Sequence, residues 1–125
     1  MEPIARDVRV FVPARDFEES LRFYAALGWE EKWRRAGLAE IELAGTRLYL
    51  QDFYVRDWAE NFMIYVEVED AAWWHRHVTA VLAKGGFPQA RVDPPREEPY
   101  GALVTYVWDP CGVLLHFAQR VSAES

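Results

Sequence analysis

Three kinds of side chain in this sequence could do chemistry: a histidine, His116, inside an otherwise apolar run; glutamates at every second position of other apolar runs, Glu40, Glu42 and Glu67; and a single thiol, Cys111. An imidazole can bind a metal, take a proton near neutral pH, or bond a neighbour, and sequence alone leaves all three open. The glutamates could attract a cationic ligand. They could equally face water as the polar alternates of half-exposed strands. Cys111 lies in a tight turn, Asp109-Pro110-Cys111-Gly112. A reactive thiol needs a cation or histidine nearby to lower its pKa, so its position in the turn reads as incidental. One cysteine also excludes an intrachain disulfide. His75 and His77 are two apart on a helical pattern, do not share a face, and read as solvated.

These residues need elements to hold them, and the sequence supplies the same set twice. Val8, Val10 and Val12 alternate as in a strand that Pro13 ends. Asp16 is placed to cap a helix, with Glu19 three residues on. Phe17, Leu21 and Tyr24 share one face of that helix, and Gly28 stops it. The second half repeats the plan: Ile64, Val66 and Val68 alternate, Asp70 caps, Trp74, Val78, Val81 and Leu82 share a face, and Gly85-Gly86 stops the helix. Strands follow each helix, near Glu30–Arg35, Leu38–Leu43 and Thr46–Gln51, then Ala90–Val92, Ala102–Trp108 and Val113–Ala118. "GTRLYLQ" and "GVLLHFA" correspond, which aligns Tyr49 with His116. Arg9 and Met63 each lie seven residues before a capping aspartate. The expectation is one α+β domain over 1–125: a βαβββ module at 7–51, a linker at 52–61 and a second βαβββ module at 62–118.

A chain of 125 residues can bury one real core. It has a net charge of −6, which argues against a nucleic-acid partner and suits a cationic ligand. No run is long and apolar enough for a membrane span. Arg6, Asp7 and Arg9 interrupt the start of the chain, so no signal peptide is read there and a cytoplasmic protein is expected.

The stretches "VPARDFEESLRFYAALGW" and "EPYGALVTYVWDPCGVLLHFAQ" resemble the vicinal oxygen chelate superfamily, which includes glyoxalases, bleomycin resistance proteins and dioxygenases. The second resembles bleomycin resistance proteins most, with its Pro-aromatic-Gly loop, DP-x-G turn and apolar closing strand. The resemblance implies two βαβββ modules whose curved mixed sheets enclose a cleft. It also implies a symmetric homodimer whose clefts draw on both chains. Metal-dependent members carry ligands on the cleft strands, at positions matched here by Arg9, Tyr49, Met63 and His116. Arginine is a permanent cation, methionine is soft and tyrosine is a rare ligand, so no metal and no other cofactor is expected. His116 then reads first as lining the cleft and bonding a neighbour, with contact to a ligand and general-base catalysis as the alternatives in that order.

Strand alternation sorts the remaining side chains. Val8, Val10, Val12, Ile41, Leu43, Leu48, Leu50, Ile64, Val66, Val68, Leu115 and Phe117 should pack on the helices. Their alternates place Phe11, Glu40, Glu42, Tyr49, Tyr65, Glu67, Tyr106, Trp108 and His116 in the cleft, with Arg9 and Arg47 able to neutralise the glutamates. Tyr100, where bleomycin resistance proteins usually carry tryptophan, and Trp58 could close over it. The expected function is sequestration of a cationic or aromatic small molecule without turnover, with no catalytic residue assigned. The alternative is an enzyme of the same superfamily: a lyase, isomerase or oxygenase.

Overall fold

The computed structural model describes residues 2–121. A first unit runs β1 (Phe11–Ala14), α1 (Phe17–Leu27), β2 (Glu30–Arg35), β3 (Leu38–Leu43) and β4 (Thr46–Asp52). After a short helix α2 (Arg56–Ala59), a second runs β5 (Met63–Glu67), α3 (Ala71–Ala83), β6 (Arg91–Val92), β7 (Arg96–Glu98), β8 (Ala102–Trp108) and β9 (Leu114–Arg120). The first sheet has the order β1-β4-β3-β2; the second has β5-β9-β8-β6, with β7 also on β8. In each, the first strand lies parallel to the last and the other pairs are antiparallel. This is the expected α+β architecture, with the same topology twice.

The helices start where their caps dictate. The Asp16 carboxylate accepts the Glu19 amide at 3.1 Å, and Asp70 accepts the Trp73 amide at 2.9 Å. Glu19 does not complete a reciprocal box, since its Oε2 is buried without a partner. Gly28, at φ 122°, turns the chain out of α1 through a conformation that other residues avoid. The buried faces of α1 and α3 meet the inner faces of both sheets in one core, including Val12, Tyr24, Leu50, Val78, Leu115 and Phe117. Trp74 stacks on Phe117, with ring centroids 4.3 Å apart and planes at 8°.

The turn after β8 is tied to this core. Asp109 is fully buried. Its carboxylate accepts the Tyr24 hydroxyl at 2.6 Å and the amides of Cys111 and Val113 at 2.7 and 3.0 Å. One side chain thus shapes the turn and joins it to α1 in the other unit.

The N-terminal strand is shorter than the valine alternation suggests. Val8 and Val10 are exposed, and pairing starts at Phe11, although the Val10 carbonyl still accepts the Tyr49 amide. Alternation reports which residues share a side, not whether anything covers it. The sequence reading also lacks α2 and β7. Two of the edges, at β2 and at β6 and β7, are unusual. All six residues of β2 are exposed, and all but Trp33 are charged. On the opposite sheet, β6 and β7 are separated by Asp93-Pro94-Pro95.

Candidate functional site

Away from the helices, each sheet presents one row of side chains in cross-strand register. On the first sheet the row is Phe11, Tyr49, Glu40 and Trp33. On the second it is Tyr65, His116 and Tyr106. The duplicated topology makes the rows counterparts, strand by strand, but their chemistry differs.

The first row is aromatic around a neutralised carboxylate. Tyr49 lies 5.4 Å from Phe11 and 5.7 Å from Trp33, between ring centroids. Glu40 is only 4% exposed and sits between Arg9 at 3.4 Å and Arg47 at 3.2 Å. Glu42 is shared by Arg47 at 3.6 Å and Lys32 at 3.4 Å. These two glutamates neither face open water nor stand free for a cationic ligand. A buried carboxylate is retained where it has partners, and two arginines supply them.

The second row is a histidine between tyrosines. The His116 ring centroid lies 5.0 Å from that of Tyr106 and 6.1 Å from that of Tyr65. Its Nε2 is 3.2 Å from the Met63 sulfur, and its Nδ1 is buried without a partner. The Tyr106 hydroxyl donates to Glu98, which Arg96 also contacts at 3.2 Å while its guanidinium lies 4.7 Å over the Tyr106 ring. Burial, reinforced by the bond to Glu98, pushes the Tyr106 phenol up to about 12. The bonds from Tyr106 and Arg96 hold the Glu98 carboxyl below its ordinary range. Burial lowers the His116 pKa, and the Glu98 charge opposes that only in part. The imidazole is therefore neutral at pH 7, able to accept a proton or a hydrogen bond. An NMR titration of His116 should give a midpoint below the usual 6.5, and Glu98→Gln should move it lower still, since it removes the opposing charge. An unchanged midpoint in the variant would show that Glu98 does not act on the ring.

Beside this row, Tyr65, Glu67, Tyr100 and Arg120 line an open cavity of about 290 Å³. Glu67 is exposed, 3.7 Å from Arg120, so its partner is loosely held. Five of the expected site residues, Tyr65, Glu67, Tyr100, Tyr106 and His116, thus lie at one place on the second sheet. Phe11, Glu40, Glu42 and Tyr49 lie on the other sheet. Trp108 shares a face with Tyr106 but lines a different cavity, with Arg91 stacked 3.8 Å over its ring. Trp58 does not close over the site; it packs between Phe53 and Phe62. His77 is not simply solvated, since its Nε2 meets the Leu27 carbonyl at 3.2 Å and its ring stacks on Trp73. Glu98, Arg96 and Trp33 were missed. The first two sit in "DPPREEPYG", a polar and proline-rich stretch without strand periodicity.

The four positions that the resemblance matched to metal ligands are occupied by two close pairs, Arg9 over Tyr49 at 5.7 Å and Met63 against His116. Among the described residues, no three histidine, cysteine, aspartate or glutamate side chains converge on one point. Also among these residues, no helix is long and apolar enough to cross a membrane.

No protein-family model matches the chain, and no curated protein matches it. Solved structures do. A bleomycin resistance determinant encoded on the transposon Tn5 is 24% identical, with a TM-score of 0.75 over 93% of this chain and 98% of that one. The bleomycin-binding protein of Streptomyces verticillus, in complex with copper(II)-bleomycin, is 19% identical, with a TM-score of 0.76 over 97% and 99%. A lactoylglutathione lyase from Agrobacterium tumefaciens is 16% identical, with a TM-score of 0.69 over 94% and 95%. Binding proteins and an enzyme share this backbone, so the fold does not decide between them. The chain has the fold of the bleomycin resistance proteins, one that the lactoylglutathione lyase shares.

Proposed function

We propose that this protein reversibly binds an aromatic or cationic small molecule beside the Tyr65–His116–Tyr106 row and does not transform it. The observation that carries this reading is the composition of that cavity: exposed Tyr65 and Tyr100 rings for stacking, with Glu67 at its rim. The pairing of Glu40 and Glu42 with arginine and lysine shifts the expected attraction for cations to Glu67 alone. Trp108 belongs to the other cavity and is left out of this site.

The same reading includes a symmetric homodimer in the cytoplasm. Phe11 and Trp33 are 44% and 40% exposed on the first sheet, an aromatic surface that a second chain could cover. In such a pair the first-sheet row of one chain could complete the cavity of the other. Sedimentation at micromolar concentration should show a dimer; a clean monomer would remove this part of the reading.

A second reading is favoured by the neutral imidazole of His116, which is suited to act as a general base in a metal-free reaction. Thermal shift against a library headed by bleomycin, followed by mass analysis of the bound compound, separates the two. Binding to the native state alone raises the melting temperature, and recovery of the compound unchanged supports sequestration. A converted product would establish the enzyme.

A further inference from the structure

The cavity at Trp108 has a different character from the tyrosine-lined one. It encloses about 380 Å³ at the junction of the two units, between Arg15 beyond β1, Tyr54 and Glu60 on either side of α2, Gln89 and Arg91 around β6, and the turn that follows Trp108. The Arg91 guanidinium lies 3.8 Å over the Trp108 ring, and that of Arg15 lies 5.3 Å over Tyr54. Stacking occupies the flat faces of a guanidinium and leaves its in-plane N–H groups able to donate. It also limits the freedom of each side chain, so less entropy is lost when a ligand binds. Among the described residues, neither arginine is in an ion pair, while Glu60 is engaged with Arg56 at 3.1 Å. In a chain of net charge −6, this cavity presents two positive groups and one negative group that already has a partner.

We propose that this cavity is a second binding site, for a small planar carboxylate such as an aromatic acid. Two guanidinium forks match the planar, two-oxygen geometry of a carboxylate. Trp108 and Tyr54 offer flat apolar surface to the body that carries it. The volume is at the low end for ligand pockets, which favours a small metabolite over a drug-sized molecule. Binding there is reversible: burial and the nearby Asp109 charge push the Cys111 thiol up to about 11, so the cysteine lining the cavity is a poor nucleophile.

Calorimetric titration of the full chain with benzoate, benzamide and inorganic phosphate tests this. Benzoate should bind, and benzamide and phosphate should bind at least tenfold more weakly. Arg91→Gln and Arg15→Gln should each weaken benzoate about tenfold or more, with Arg91→Lys between Arg91→Gln and the parent. Both arginines are exposed, and circular dichroism of the variants would confirm that they fold. Tyr65→Ala, in the other cavity, should leave benzoate affinity unchanged, which separates this site from the one proposed above. Equal binding of benzamide would show that charge is not read, and equal binding of phosphate that planarity is not. Either result overturns the assignment, as does full affinity in Arg91→Gln, loss of benzoate binding in Tyr65→Ala, or no benzoate binding at all.

Discussion

Asp109→Ala should lower the stability of the protein by about 3 kcal/mol, read as a fall on the order of 10 °C in melting temperature. The substitution leaves three buried donors without an acceptor: the Tyr24 hydroxyl and the amides of Cys111 and Val113. Their separate costs would sum to more than this, but removal of a buried charge returns part of it. The same carboxyl makes stability depend on pH. Burial raises its pKa from 3.8 to about 6, against hydrogen bonds that favour the ionised form. The folded protein therefore holds this proton more tightly than the unfolded chain does. The resulting stabilisation is fully present below pH 3.8, declines as pH rises through about 6, and is absent above that. The gap corresponds to about 3 kcal/mol. Asp109→Asn cannot titrate, so parent and variant should diverge as pH falls from 7 to 4, with the parent gaining. A constant difference between them across that range would mean that Asp109 does not carry the raised pKa.

Tyr65→Ala should weaken a ligand that stacks in the second-sheet cavity by about 1–3 kcal/mol, roughly 5- to 150-fold. Tyr65 is 56% exposed and lies next to His116 in the row, so truncation removes stacking area without opening the core. Trp108→Ala is the informative contrast. Trp108 is the larger ring and shares a face with Tyr106, yet it lines the other cavity. It should leave affinity for the same ligand within about twofold, although such a truncation at an interface hot spot can cost 2 kcal/mol or more. Glu67→Gln should weaken a cationic ligand and reduce the salt dependence of what remains. Bleomycin is the first compound to use. Equal losses in the Tyr65 and Trp108 variants would mean that the two cavities act as one.

The helices and most strands were legible because their signals are local. Asp16 and Asp70 mark helix starts by bonding an amide three residues away, and Val12, Leu50, Leu115 and Phe117 mark buried strand faces by alternation. The outward rows were legible for the same reason: a period of two assigns every side chain to a side. What the other side meets was not legible. Alternation gave Glu40 and Glu67 the same status, yet the first is buried between two arginines and the second is exposed. Arg9, just before β1, and Arg47, on β4, make that difference; alternation put both on the glutamates' side but did not fix which glutamate each would meet. That Trp108 lines a different cavity from Tyr65 was not legible, because sharing a face with Tyr106 does not fix which neighbour covers the ring, and Arg91 does. Glu98 was invisible because β7 is polar, only three residues long and preceded by prolines.

The exposed edges bear on how the chain survives at high concentration. An open sheet edge offers unpaired backbone groups to any other strand, and outward-facing aromatic rings make such encounters sticky. On β2, pairing with another strand would strip water from the five charges around Trp33, which is costly. On the opposite sheet, Pro94 and Pro95 lack amide donors and break the edge into β6 and β7, too short to template a neighbour. Two unrelated devices thus guard the edges at β2 and at β6 and β7 against aggregation, while the aromatic rows lie on the sheet faces rather than at these edges.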